Sequence, residues 1–220
     1  MYLSAVKLLR DIKEKGTSRP LYNIDHKLVN TMELTGIPQN RPRVYLVGCY
    51  RSLMHPATSF DWPGPVPMTR LSAFLGPNKL DPAMPTNTYH MKNLLRLIPL
   101  IEKDTGDDPR RVMYALDLDT SETFSPKMFM KERSPCLTRS RCGQGSFFLS
   151  SWQRKMSMTE LRKLQGFPST LRRPVGVSER ALSMMFGNAM TVPLLARIQR
   201  MVLGAAKLID LDVIEDPVAK

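Results

Sequence analysis

The sequence predicts an α/β protein whose body is interrupted by a small, irregular, partly β segment. Three observations lead there. Apolar residues recur at helical spacing near both ends of the 220-residue chain, and Val44-Tyr45-Leu46-Val47 is a short, wholly apolar run of the kind buried in a parallel sheet. Between them lies a stretch dense in proline and turn residues; proline reaches 18 of 220 residues, about 8% against a usual ~5%. The chain divides accordingly into residues 1–50, 51–150 and 151–220.

In the first zone Ala5, Leu8, Leu9 and Ile12 form one helical stripe, with Gly16 as a stop. Leu21–Val29 is compatible with a strand, and Gly36, Pro38 and Pro42 mark a turn before the apolar run. In the middle zone prolines cluster at Pro56, Pro63, Pro65 and Pro67, while Met91, Leu94, Leu95 and Ile98 predict a helix within His90–Ile101 and Val112–Leu118 predicts a strand. In the last zone Ser157-Met158-Thr159-Glu160 fits a capping box, with Met156 and Leu161 placed for a hydrophobic staple. That helix is expected to end near Gly166-Phe167-Pro168. A final helix is expected over 193–209, opened by a Thr191 cap with Pro193 in its first turn, its stripe running Leu194, Leu195, Ile198, Met201, Val202 and Ala205.

With 42% hydrophobic and 24% charged residues, the composition is that of an ordinary globular protein. No apolar run approaches the ~20 residues that span a bilayer, and no signal-peptide pattern opens the chain. Cys49, Cys136 and Cys142 form no CxxC pair, so neither a disulfide scaffold nor a zinc site is indicated and no metal is expected. An intracellular, reducing compartment is expected: the nucleus for a eukaryotic source, the cytoplasm for a bacterial or viral one.

A net charge of +12 favours a polyanionic partner, most often nucleic acid. Between Lys127 and Arg173 eleven basic residues face only two acidic ones, with Gly143-Gln144-Gly145 and Phe147, Phe148 and Trp152 interleaved. Arginines fork onto phosphate oxygens and a flexible glycine loop can reach into a groove, which marks Arg139, Arg141, Gly143 and Gly145 as candidate DNA contacts. A solvated basic face is the other reading. His26, His55 and His90 lack ligand spacing, Asp117 and Asp119 share a strand face without making a metal site, and Cys136 reads as a structural thiol. In Gln39-Asn40-Arg41-Pro42-Arg43, two arginines project the same way from a sheet edge; a charged turn before a strand is the alternative.

The block Gly36–Gly48, with Asn30 and Thr31 upstream, resembles the QxRxR segment of the cytosine-5 DNA methyltransferases. Two further blocks of that family follow in its order: Arg154–Glu160 with Leu164-Gln165-Gly166-Phe167-Pro168, and Phe186-Gly187-Asn188-Ala189-Met190-Thr191-Val192-Pro193. The resemblance implies the C-terminal portion of a Rossmann-like, S-adenosylmethionine-dependent methyltransferase domain, with 51–150 as a target-recognition domain and 151–220 a helical return to the catalytic domain. It implies double-stranded DNA as partner and chemistry on a cytosine swung out of the helix, where a cysteine thiolate adds to C6 and C5 takes the methyl group. Arg43 would lie nearest the cytosine and Arg41 beside it or on phosphate; Gln39 would join the DNA-facing set. Asn188, Ala189 and Met190 would line the S-adenosylmethionine pocket.

The family's FxGxG cofactor loop, its proline–cysteine–glutamine loop and its glutamate–asparagine–valine segment precede QxRxR, and none is among the 38 residues before Gln39. Pro135-Cys136 is followed by Leu137, so the nucleophile is not assigned to it. The expectation is an enzyme half, inactive alone, that works with a complementing N-terminal half and exposes apolar surface without it. A non-catalytic nucleic-acid-binding remnant and a transfer-RNA cytosine-5 methyltransferase are the alternatives.

Overall fold

The computed structural model describes residues 2–54, 59–123 and 128–218. His55, Pro56 and Lys127 lie outside them. The chain opens with α1 (Tyr2–Asp11), then β1 (Tyr22–Asn30), the short α2 (Thr31–Thr35) and β2 (Pro42–Tyr50). A one-turn helix at Arg51–Leu53 leads to α3 (Leu71–Leu75), α4 (Thr88–Thr105), β3 (Tyr114–Asp117) and β4 (Phe129–Lys131). Next come α5 (Arg139–Gln144), β5 (Phe147–Leu149), β6 (Arg154–Lys155), α6 (Met158–Leu164), α7 (Glu179–Asn188) and α8 (Val192–Ala205).

The mixed α/β character is as expected, but the sheets among the described residues are antiparallel. β1 and β2 form a two-stranded ribbon, and β4-β3-β5-β6 form a four-stranded sheet. The run Val44–Val47 therefore does not sit in a buried parallel sheet. Only its odd-numbered side faces a core, and Val44 and Leu46 remain 40% and 38% exposed. The α1 stripe also departs from expectation. The helix stops at Asp11, well before Gly16, and buries Val6 while Leu8 is 69% exposed.

Three cores hold the elements. Val29, Val47 and Cys49 of the ribbon pack with Leu34 against Leu194 and Ile198 of α8. Leu94, Leu97 and Ile101 of α4 cover Tyr114, Leu116 and Phe148 on one face of the four-stranded sheet. On the other face Ala115, Phe147 and Leu149 pack with Ile37, Leu71, Leu161, Leu164, Leu182 and Phe186, so residues from all three sequence zones share one core. β3 and β5 are covered on both sides, which explains why every one of their residues is buried.

Local signals account for several element ends. The capping box forms as read: Ser157 Oγ accepts from Glu160 N–H and Glu160 Oε2 accepts from Ser157 N–H, while Met156 and Leu161 are buried in the same core. Thr191, by contrast, makes no cap. Its hydroxyl is turned into the core to bond Gln165 and Thr31, and α8 starts at Val192 with Pro193 in its first turn. Residues 179–205 are together long and apolar enough to span a bilayer, yet they fold as two helices broken by extended backbone at Ala189 and Thr191.

Candidate functional site

The Gln39–Arg43 segment is positioned by backbone. Gly36 takes the left-handed conformation that ends α2, and an added Cβ there would stand 2.7 Å from the Pro67 carbonyl. The chain then pairs with residues 134–137: Ser134 N–H donates to Pro38 O (2.7 Å) and Asn40 N–H to Ser134 O (2.9 Å). Asn30 locks the turn from below, its amide donating to Asn40 Oδ1 (2.7 Å) while its own Oδ1 accepts from Arg41 N–H (2.9 Å).

The structure divides the predicted residues of this segment into buried and exposed sets. Gln39, expected in the DNA-facing set, is fully buried, its amide donating to Leu164 O at 2.6 Å. Arg41 is buried as well. Its guanidinium donates to the carbonyls of Leu137 and Ala189 (2.7 Å to the latter), reaches Gly187 O at 3.4 Å, and lies 3.6 Å from Cys136 Sγ. It clamps β2 to residues 136–137 and to the end of α7. Arg43 is the exposed member of the pair, resting on Pro42 O (2.7 Å) and Cys136 Sγ (3.2 Å).

A buried polar chain ties the distant blocks together. Thr31 Oγ1 and Thr191 Oγ1 are 3.2 Å apart, Thr191 donates to Gln165 Oε1 (3.1 Å), and Gln165 Nε2 donates to Phe186 O (2.7 Å). All three side chains are fully buried, and each hydrogen bond offsets the cost of placing its partner in the interior. Gly187 completes the assembly, since α7 approaches residues 138–139 so closely that a Cβ would lie 2.3 Å from Thr138 O.

These contacts shape an open cleft of about 450 Å3, lined by Arg41, Arg43, Val44, Tyr45 and Leu46 from β2, Thr138 and Arg139, and Gly187, Asn188 and Met190. Asn188 and Met190 are exposed at its lip, and Ala189 is half-buried. Among the described residues no carboxylate lines the cleft, and the Cys136 thiol lies beside it, 3.2 Å from the Arg43 guanidinium. Arg139 is exposed and makes no ion pair among the described residues. Burial raises the Tyr45 phenol, with the Arg41 and Arg43 charges pulling the other way.

Other sequence candidates are engaged elsewhere. Arg141 forms an ion pair at 2.5 Å with Asp117, which is 1% exposed and pushed up to about 6 by burial against the pull of Arg141. Gly143 and Gly145 do not form a flexible loop. Gly143 lies inside α5, where its missing Cβ makes room for Met184 (2.4 Å), and Gly145 ends that helix in the left-handed conformation. Arg154 is buried in a bidentate pair with Glu160 (2.7 and 2.9 Å), beside Asn78 Oδ1 and over the Trp152 ring. The basic stretch is thus partly an internal framework.

The thiols of Cys49 and Cys142 are pushed up by burial, the latter to about 12. His90 is buried with Lys155 at 3.3 Å, and burial lowers both groups. Among the described residues no three His, Cys, Asp or Glu side chains gather to hold a metal. Sequence reasoning missed α7, which presents Asn188; its signal was Ser178, whose side chain accepts from Ala181 N–H.

Residues 6–203 match the family described as C-5 cytosine-specific DNA methylase. The chain belongs to that family. It is 26% identical over 178 residues to the type II methyltransferase M.HaeII of Haemophilus aegyptius, covering 80% of this chain and 49% of that protein. Over 183 residues it is 25% identical to the type II methyltransferase M.Bsp6I of Bacillus sp. (strain RFL6), covering 80% and 54%. The chain therefore spans about half the length of these curated relatives. Among solved structures, the Entamoeba histolytica methyltransferase EhMeth is similar in fold, with TM-score 0.52, 15% identity, and coverage of 86% of this chain and 55% of that one.

Proposed function

We propose that this chain supplies the target-recognition face and one wall of the methyl-transfer site of a DNA (cytosine-5) methyltransferase, acting on a cytosine turned out of duplex DNA. The observation that carries this is the cleft itself, where the QxRxR segment, residues 138–139 and the Gly187–Met190 block meet although they lie up to about 150 residues apart. Two exposed arginines, with no carboxylate among the described lining residues, suit it to an anionic or carbonyl-bearing ligand. Arg43 is the residue with a free reach to the base or its phosphate. Arg41 positions it by holding Leu137, Gly187 and Ala189, and Arg139 contacts the DNA backbone. The division into a catalytic part (1–50), a recognition part (51–150) and a helical return (151–220) accompanies this reading, as does the Rossmann-like character of the whole domain.

S-adenosylmethionine would supply the methyl group. Asn188, Ala189 and Met190 are accessible at the cleft lip and suit one side of such a ligand, the Asn188 amide for its polar edge and Met190 for its apolar one. The thiolate chemistry of the family needs a nucleophile; burial keeps Cys49 and Cys142 protonated, and Pro135-Cys136 is followed by Leu137 rather than the family's glutamine, so in this reading the nucleophile comes from a complementing half.

The test is fluorescence anisotropy with duplex DNA carrying one cytosine, either paired or mispaired. A base that is already unpaired is cheaper to extrude, so the mispaired duplex binds more tightly. Arg43→Ala removes that preference. Equal affinity for both duplexes, or tighter binding of transfer RNA, would replace this reading.

A further inference from the structure

We propose that the middle of the chain carries a second binding site, a cavity beside α4 that takes a small apolar carboxylate: a ring or short hydrocarbon chain ending in a carboxylate group. The cavity measures about 310 Å3, lies between α4 and the turn joining β5 to β6, and shares no lining residue with the cleft above. Its size falls within the range of small-ligand sites, about 300–1,000 Å3. Leu94 and Phe148, each 2% exposed, form the floor. Around them stand Ile98, half-buried, and Leu95 and Met84, which are 65% and 53% exposed. Such a surface holds water poorly, because water needs polar partners, and it gains by covering itself with hydrocarbon.

Two polar side chains at the cavity are free to meet a ligand. Ser150 is not one of them, since its hydroxyl accepts from Tyr114 N–H (2.9 Å) and donates to Val112 O (3.1 Å). The carboxylates near Arg110 are taken by its neighbours: Asp108 pairs with Arg111 (3.5 Å) and Asp107 with Lys131 (2.8 Å). The Arg110 backbone N–H is fixed on Asp108 Oδ1 (2.9 Å), while its exposed guanidinium has no partner among the described residues. Gln153 takes the left-handed backbone at φ 49°, where glycine would sit without strain. Its N–H donates to Ser150 O (3.2 Å) and its carbonyl accepts from Ala83 N–H (2.9 Å), a bond that also seats Met84. The Gln153 side-chain amide has no partner among the described residues.

The occupant follows from this pairing of donors and apolar surface. A guanidinium and an amide N–H suit a carboxylate, the guanidinium by forking onto both oxygens. The apolar floor suits a hydrocarbon tail and offers nothing to the sugar or base edges of a nucleotide. A cationic ligand would meet Arg110, and a neutral hydrocarbon would leave both donors unused.

The experiment titrates the 220-residue chain with phenylbutyrate and, as its neutral counterpart, phenylbutanol, by calorimetry. The acid is expected to bind at one saturable site about tenfold more tightly than the alcohol. Arg110→Ala brings the acid down to the affinity of the alcohol and leaves the alcohol unchanged. Leu95→Trp, at an exposed position, fills the cavity and abolishes binding of both. Gln153→Gly removes the amide while relieving the backbone, so affinity for the acid falls while the melting temperature does not. The proposal is overturned by no saturable binding at millimolar ligand, by equal affinity for acid and alcohol, or by binding that Arg110→Ala or Leu95→Trp leaves unchanged. It rests on this cavity and not on the family reading, and none of its readouts involves DNA, so the DNA-binding test above stands or falls separately.

Discussion

Arg41 and Arg43 stand two apart in one strand, but they do different work. Arg41 satisfies backbone carbonyls that would otherwise be buried without partners, whereas Arg43 lies on the surface of the cleft. Arg41→Ala is expected to destabilise the protein by about 2–4 kcal/mol in urea unfolding, and Arg43→Ala by less than about 0.5 kcal/mol. Similar losses for the two would contradict the division. Asp117 gives the residue scale its pH dependence. Its carboxyl is raised to about 6 in the fold from 3.8, so between those values the native state holds a proton that the unfolded chain has released. The stability this group contributes is full below the unfolded value and is lost as pH rises through 6, by about 3 kcal/mol at most. Asp117→Asn is expected to flatten stability between pH 4 and 6; an unchanged slope would show that another group causes it.

At the scale of elements, the structure follows the sequence where a signal is local. The capping box of α6 needs only Ser157 and Glu160, and it forms; Ser157→Ala is expected to cost about 1 kcal/mol, read as a lowered melting midpoint. The α4 helix and the β3 strand likewise follow from periodicity. Departures occur where tertiary packing decides. Gly143 and Gly145 read as a mobile loop, yet the missing Cβ of Gly143 lets α5 meet Met184 of α7. Thr191 has the sequence of a cap, but the buried Thr31–Gln165 pair competes for its hydroxyl and wins. The site itself was half legible. Motif residues marked Arg43, Asn188 and Met190 and the basic run marked Arg139, but no pattern in the chain reveals that Gln39, Arg41 and Arg141 turn inward. Gly187→Ala tests the α5–α7 seam. Its Cβ would meet the Thr138 backbone at 2.3 Å, so the variant is expected to lose DNA binding together with stability, while Gly64→Ala, which meets no atom within 4 Å and needs no left-handed backbone, leaves the seam intact.

For the whole molecule, charge and completeness matter most. Because Arg141 and Arg154 are paired internally with Asp117 and Glu160, fewer basic side chains can meet phosphate than the eleven between Lys127 and Arg173 suggest. Affinity for duplex DNA is expected to fall with salt with a log–log slope of about −4 to −5, as for roughly four to six neutralised phosphates. A slope near −10 would mean that the internal pairs open on binding. The central claim is that three distant blocks build one cleft for a cytosine. Its most direct test is photo-cross-linking of the chain to duplex DNA containing a single 5-iodocytosine, followed by peptide mapping. The cross-links are expected on residues 43–46, 138–139 and 187–190. Cross-links confined to α4 or to the 172–180 segment would contradict the account.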